Sequence, residues 1–344
     1  MRAHPRTFLS NLFFLLIPSI CSAIASTAVK MDKIDPFIPL IYIPSAIDGA
    51  ESWTEQTSVK ETSKIVIDAL QKSGFLMITT PLLPLQLQMG ALQEATKILE
   101  AKNNENGIVA HPTDPKTYLM LHSSEECQSI SSVLLEYYEA LQATKMIVLQ
   151  LIALGLELDS SYFSELHDEN NDTLRLIRYW PGTEETGNRC KEHSDYGTVT
   201  MLSTDGVSGL QAFHQGEWVP VPHVKGAMVV NIGSLLSGWT GGSLLATLHR
   251  VAGPASKGSR HSDDVYKTLL QAVSKSRTSI AFFSDPNEGV AASLKESNAK
   301  SGLTDALNGM SVAEYIKWRS GGSGDDRSGL KFTQEEEKRI QNST

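Results

Sequence analysis

The run LRLIRY at residues 174–179 is the first of several short segments that favour β-strand. Similar segments follow it at Gly197–Leu202, Gly209–Phe213, Glu217–Val221, Ala227–Ile232 and Arg277–Phe283. Glycine, proline, aspartate or asparagine separates these segments, as expected of strands joined by turns. Many short strands at close spacing are typical of a barrel or a double-sheet jelly roll.

The residues before this series have a helical pattern. Val59–Lys72 carries apolar residues at helical spacing, and a Ser-Gly pair ends it before the predicted strand Phe75–Thr79. Leu85–Ala101 and Ile130–Leu154 are further amphipathic segments, and Ile38–Ile43 is predicted to be an edge strand between prolines. Helices followed by strands, with no flexible linker between them, predict an α+β chain with one core.

Composition excludes several classes of protein. The 344 residues are 41% hydrophobic and 20% charged, which excludes a disordered or collagen-like chain. A net charge of −9 argues against a nucleic-acid partner. The three cysteines follow no short metal-binding spacing, and a chain this long with so few is no disulfide scaffold. A metal would therefore depend on histidines and carboxylates.

Residues 1–25 have the pattern of a cleavable signal or targeting peptide. Arg2 and Arg6 precede an apolar run at 8–17, and small residues follow it. We expect the secretory pathway or an organelle. The alternative is a cytoplasmic protein translated from Met31. No later stretch reaches about 18 apolar residues, so we expect no stable membrane span after signal removal.

His193, Asp195 and His249 are the candidate metal ligands. Side chains two residues apart on an extended segment point to the same face, so His193 and Asp195 can reach one ion. Two imidazoles and one carboxylate on one side of a metal form the facial triad of non-haem iron(II) oxygenases. His-x-Asp alone is a common pattern, so the triad needs further support.

That support comes from the segment Arg277-Thr278-Ser279 at the start of a predicted strand. Arg277 and Ser279 would share a face with Ala281 and Phe283. A buried guanidinium needs an anionic partner, and its fork with a neighbouring hydroxyl suits a carboxylate. The alternative partner is an internal Asp or Glu in a structural salt bridge.

Together these three motifs resemble the iron(II) and 2-oxoglutarate-dependent dioxygenases of the isopenicillin N synthase-like family. His249 follows Asp195 after 53 intervening residues, and Arg277 lies 28 positions beyond it. The segment Glu192–Thr198 and the run Asn231-Ile232-Gly233 also resemble family segments. The likeness extends over roughly residues 35 to 320.

The resemblance implies a fold, a chemistry and a set of roles. The fold is a double-stranded β-helix (jelly roll) core at 171–320, with a mostly helical part at 32–170 packed outside it and a polar tail at 321–344. His193, Asp195 and His249 would ligate Fe(II), and Arg277 and Ser279 would bind the distal carboxylate of 2-oxoglutarate. O2 is the oxidant, and ascorbate is a possible reductant. A small-molecule substrate would be hydroxylated or desaturated while 2-oxoglutarate is decarboxylated to succinate and CO2.

The sequence leaves two alternatives open. One is an oxidase of the same family that does not use 2-oxoglutarate, and the other is a catalytically silent jelly-roll binding protein. The oligomeric state is unknown, with a monomer as the default.

The chain departs from the family pattern in two places near the site. Arg178-Tyr179-Trp180-Pro181 stands where the family has a co-substrate-binding Tyr before the Pro. Either Trp180 replaces that Tyr, or Tyr179 takes its role in a shifted register, because neighbours in a strand face opposite ways. The separation of His249 from Arg277 exceeds the family's usual spacing, so residues 258–275 look like an insertion.

Overall fold

Two β-sheets carry the fold. The computed structural model describes residues 37–44, 57–101, 107–183, 185–254, 256, 274–292 and 309–320, all within the compact unit Pro36–Thr344. The strands are β1 (Leu40–Tyr42), β2 (Phe75–Thr79), β3 (Val109–Ala110), β4 (Lys116–Leu121), β5 (Asp172–Tyr179), β6 (Cys190–His193), β7 (Val199–Thr204), β8 (Leu210–His214), β9 (Glu217–Pro220), β10 (Met228–Ile232), β11 (His249–Val251) and β12 (Arg277–Ser284).

The two sheets are of unequal size. The larger has eight strands in the order β1-β2-β10-β7-β12-β5-β4-β3, and the smaller has four in the order β6-β11-β8-β9. Except for the parallel pair β1 and β2, all neighbouring strands are antiparallel. Residues of both sheets line one cavity, so the sheets face each other as in a jelly roll.

The helices pack against the larger sheet. They are α1 (Thr57–Lys72), α2 (Leu85–Glu100), α3 (Ser124–Ile130), α4 (Ser132–Gly155), α5 (Ser234–Trp239) and α6 (Val312–Arg319). The long helix α4 contacts α1, α2 and α3, and α2 also contacts β5 and β12. The predicted α+β architecture with a jelly-roll core and packed N-terminal helices is confirmed.

Strand β12 separates two apolar clusters by side-chain alternation. All eight of its residues are buried, because it lies between β5 and β7 inside the larger sheet. Ile280 and Phe282 belong to the main core beneath the helices. Ala281 and Phe283 belong to a smaller cluster on the opposite face, which looks into the cavity. Odd-numbered residues of β12 therefore face the site.

Two sequence-based boundaries needed correction. The predicted helix Ile130–Leu154 is α4, which begins at Ser132, because Ser131 adopts an extended backbone (φ −162°, ψ 132°) that separates α4 from α3. Strand β4 is not predicted from the sequence. Its short apolar run follows Pro115, and the segment is a strand because it pairs with the distant β5. Strand Phe75–Thr79 has the predicted bounds.

Some expectations concern residues outside the described part of the chain. These are the targeting peptide at 1–25, the polar tail at 321–344 and most of the inserted segment 258–275, of which residues 274 and 275 are described. Among the described residues, none of the helices has the length and apolar character needed to span a bilayer.

Candidate functional site

His193, Asp195 and His249 converge between the two sheets. One ligand atom of each lies within 4.8 Å of the others. The Nε2 atoms of His193 and His249 are 3.8 Å and 3.7 Å from Asp195 Oδ1. Donors that each bind one ion at about 2.0–2.2 Å lie roughly 3 to 4 Å from one another. The three side chains are therefore spaced as ligands of a single ion.

Strand pairing places the two imidazoles side by side. His193 ends β6 and is the register partner of His249 on β11, so their ring centroids are 4.3 Å apart. Each Nδ1 lies within hydrogen-bond distance of a backbone carbonyl, that of Lys191 at 2.8 Å and that of Thr247 at 3.1 Å. Nδ1–H donation to a carbonyl leaves the Nε2 lone pair for a metal.

The loop after β6 fixes Asp195. The strand ends at His193, so Asp195 follows it in a loop, but its carboxylate still reaches the site. Asn231 of β10 donates a hydrogen bond from Nδ2 to Asp195 Oδ2 at 2.7 Å. The backbone N–H of Ser234 donates to the Asp195 carbonyl at 2.8 Å. A Cβ on Gly233 would lie 2.2 Å from the Gly197 carbonyl oxygen, so only glycine allows this close approach.

The electrostatics prepare two of the three ligands, Asp195 and His249, for metal binding at neutral pH. Burial alone would raise the pKa of Asp195, but His249, His193 and hydrogen bonds from Thr200 and Asn231 hold it below its usual value. Burial and the neighbouring His193 lower the pKa of His249 to about 4, although Asp195 opposes this. Asp195 is therefore ionised and His249 neutral near pH 7, the states in which both ligate metal.

The third ligand, His193, is protonated more readily. Burial alone would lower the pKa of His193, but the contributions of Cys190 and Asp195 outweigh burial and raise the pKa to about 9. Metal binding at His193 must therefore displace a proton.

Arg277 lies on the opposite wall, in the larger sheet, and Ser279 is the next residue on the same face of β12. Arg277 lines the cavity and is 1% exposed; its Nε donates to the Val207 carbonyl at 3.1 Å, and Nη1 is buried without a partner. Ser279 Oγ is also buried without a partner. Among the described residues, no carboxylate lies within 4.0 Å of Arg277, so the alternative of a structural salt bridge is not found there.

Tyr179, and not Trp180, faces the cavity. Tyr179 is the register partner of Arg277, and the guanidinium carbon lies 5.1 Å from the centre of its ring. Trp180 is 37% exposed and points away. Of the two alternatives, the alternation of side chains in β5 therefore favours Tyr179, in the shifted register, as the residue that faces the co-substrate.

Three further residues at the site were not singled out as site residues from the sequence. Asn231 lay inside a quoted segment, but its contact with Asp195 depends on the pairing of β10 with β7. Arg175 shares the inward face of β5 with Tyr179, so alternation could have found it once Tyr179 was known to face inward. Lys116 arrives on the missed strand β4; its Nζ lies 2.9 Å from Asp114 Oδ2 and 3.2 Å from Cys190 Sγ.

This arrangement fits an iron ion and a 2-oxo acid. The donor set of two imidazoles and one carboxylate is that of an iron(II) facial triad, with coordination positions left for other ligands. Across the cavity, buried and unpartnered Arg277 Nη1 and Ser279 Oγ supply donors suited to a carboxylate.

Comparisons with known proteins agree with this geometry. Residues 170–286 match the family model described as the 2OG-Fe(II) oxygenase superfamily. A 2-oxoglutarate-Fe(II) type oxidoreductase of Metarhizium rileyi is 32% identical over 192 residues, 53% of this chain and 50% of that protein. A proline hydroxylase of Petromyces alliaceus is 28% identical over 215 residues, 60% of this chain and 62% of that protein.

The matched part of the chain spans about half the length of the first of these relatives. Among solved structures, full-length Neurospora crassa T7H in complex with alpha-KG and 5-formyluracil has a TM-score of 0.66 at 23% identity, covering 82% of this chain and 95% of that one. This likeness shows the fold. The family match covers the site-bearing residues, so residues 170–286 are similar to the 2OG-Fe(II) oxygenase superfamily.

Proposed function

We propose that this protein is an Fe(II)- and 2-oxoglutarate-dependent dioxygenase that hydroxylates or desaturates a small organic molecule. The observation that carries the proposal is the facing pair of half-sites in one cavity. His193, Asp195 and His249 form the metal-binding half, and Arg277 with Ser279 forms the carboxylate-binding half. His249 lies far from His193 and Asp195 in the sequence, and Arg277 lies beyond all three, so the two halves meet only in the fold.

Each half has a defined task. His193, Asp195 and His249 would hold iron through Nε2, a carboxylate oxygen and Nε2. Asn231 would keep the Asp195 carboxylate in position, and Tyr179 would pack against the Arg277 guanidinium. When bound, iron with 2-oxoglutarate and O2 supplies the oxidising chemistry, with succinate and CO2 as products. The protein orients the reactants and limits access of water.

The main alternative is an oxidase of the same superfamily that does not use 2-oxoglutarate. In such an enzyme Arg277 and Ser279 would bind a carboxylate of the substrate. Relatives named as a 2-oxoglutarate-Fe(II) type oxidoreductase and a proline hydroxylase support the dioxygenase. The intact triad argues against a silent binding protein.

Anaerobic addition of Fe(II) and 2-oxoglutarate tests the proposal. We expect a weak visible charge-transfer band in the wild type, and its loss in His249→Ala. Release of succinate under O2 should follow the same pattern. A wild-type protein that binds Fe(II) but gives no band with 2-oxoglutarate would support the oxidase instead.

We also propose that residues 1–25 direct the protein to the secretory pathway or an organelle, on the basic, apolar and small-residue pattern described above. N-terminal sequencing of the protein purified from its native cells tests this. A mature N-terminus after about residue 25 is expected, whereas a start at Met31 with cytoplasmic localisation would contradict it.

A further inference from the structure

Arg175 is a buried cation on the wall of the same cavity. It lies on β5, four residues before Tyr179 and on the same inward face. Its neighbours in register are Ala281 on β12 and Met120 on β4. The residue is 4% exposed, so its guanidinium is removed from bulk water.

The guanidinium of Arg175 has one unsatisfied edge. Its Nε and Nη2 atoms are buried, and neither has a hydrogen-bond partner. These two nitrogens form the side of the fork that binds a carboxylate bidentately. One face of the group packs on the Tyr118 ring, with the guanidinium carbon 3.8 Å from the ring centre. Within the described chain, no carboxylate oxygen lies within 4.0 Å of it.

Arg189 shows how this fold satisfies a buried guanidinium that has only a structural role. Arg189 is fully buried, and its three nitrogens donate to the carbonyls of Ala252, Lys275 and Ser208. Arg175 has no such set of acceptors. A buried charge without acceptors is costly, so the open edge of Arg175 is suited to an anion from outside the chain.

The co-substrate does not provide that anion. 2-Oxoglutarate has two carboxylates; in the proposed function one lies at Arg277 and the other lies with the 2-oxo group at the metal. Arg175 and Tyr179 are four residues apart on β5, which separates their backbones by about 13 Å. Lys116, the other lysine or arginine on the cavity wall, is already neutralised by Asp114 at 2.9 Å. Neither carboxylate of 2-oxoglutarate is therefore the partner of Arg175.

We propose that Arg175, supported by the Tyr118 ring, binds a carboxylate of the prime substrate, which is therefore a small organic acid. This inference deepens the proposed function and rests on it. The triad and Arg277 would fix the co-substrate, and Arg175 would anchor the acid in the same cavity.

Simple carboxylates provide the probe. Binding of acetate, propionate and benzoate, each paired with its neutral primary amide, is measured by calorimetry on the full chain loaded with Mn(II) and 2-oxoglutarate, which does not turn over. We expect the acids to bind and the amides to bind at least about tenfold more weakly. Arg175→Met should weaken acid binding by at least about tenfold and leave 2-oxoglutarate affinity within about twofold.

Controls separate this inference from the proposed function. Arg175→Lys keeps the charge without the fork and should retain part of the acid affinity, while the retained 2-oxoglutarate affinity of Arg175→Met shows that its loss of acid binding is not a folding defect. In metal-free protein, Arg277→Met should still bind propionate through Arg175, and the double variant should not. If the wild type does not bind Mn(II) with 2-oxoglutarate, the proposed function is wrong. If the metal-free protein still binds propionate through Arg175, the carboxylate site is nevertheless supported.

Three outcomes would overturn the inference. Amides that bind as well as acids would make Arg175 a donor to a neutral carbonyl. Equal losses of 2-oxoglutarate affinity in Arg175→Met and Arg277→Met would assign Arg175 to the co-substrate. No detectable binding of any of the three acids would show that the open edge is not a carboxylate site.

Discussion

Asn231 offers a sharp test of how the protein holds its metal, because it contacts a ligand without being one. It is 4% exposed on β10, and its Nδ2 donates to Asp195 Oδ2 at 2.7 Å. Asn231→Leu keeps a similar volume but removes this donor. The Asp195 carboxylate then loses a hydrogen bond that fixes its orientation and favours its ionised form.

The expected loss is measurable. Removing an outer hydrogen-bond partner of a metal ligand typically costs about 10- to 100-fold in metal affinity, or roughly 1.4 to 2.7 kcal/mol. Free Mn(II) counted by electron paramagnetic resonance during a titration gives the dissociation constant without turnover. We expect the constant to rise by this factor in Asn231→Leu.

The matched control lies on the same strand and face. Val229→Ala alters the packing of β10 two residues away and makes no contact with Asp195, so it should destabilise the fold while leaving Mn(II) affinity unchanged. Wild-type affinity in Asn231→Leu would refute the reasoning that Asn231 organises the ligand. Equal losses in both variants would attribute the effect to the strand as a whole.

Three other predictions concern the opposite wall and the core. Arg277→Met should raise the 2-oxoglutarate dissociation constant at least about tenfold by calorimetry, because a charge-assisted contact is lost; an unchanged constant would remove Arg277 from the site. Tyr179→Leu should weaken the same binding about 2- to 30-fold through the lost ring contact, whereas Trp180→Ala, on the exposed side, should not. Burial lowers the pKa of His167 to about 4 in the folded protein. The unfolded chain therefore takes up the proton at a higher pH, near about 6.5, than the folded chain does. The free energy of unfolding should fall by about 3 kcal/mol as the pH drops from about 6.5 to 4. Urea unfolding of wild type and His167→Gln should show the shallower pH dependence in the variant, and parallel curves would contradict this.

The metal ligands are predictable from the sequence because their residue types and spacing are specific to one chemistry. The pattern of His193, Asp195 and His249 indicates a metal site, and Arg277 is conspicuous as a charged residue on the face of a buried strand. Local patterns also locate the strands of five or more residues other than β4, and three of the six described α-helices, α1, α2 and α4. These features depend on near neighbours in the chain, which the sequence displays directly.

The rest depends on long-range pairing. Strands β6 and β11 have only four and three residues, and they become strands because they pair with each other and place His193 beside His249. Arg175 and Arg178 alternate along β5, and only the inward position of Tyr179 decides which of them faces the cavity. A short segment does not encode which of its faces will be covered.

The central claim is that His193, Asp195 and His249 together bind one ferrous ion. Anomalous diffraction at the iron absorption edge, from crystals grown anaerobically with Fe(II), tests it directly. We predict a single strong peak about 2.0–2.2 Å from His193 Nε2, an Asp195 carboxylate oxygen and His249 Nε2. An iron peak bound elsewhere, or no peak among these three side chains in a crystal whose protein contains stoichiometric iron, would contradict the account.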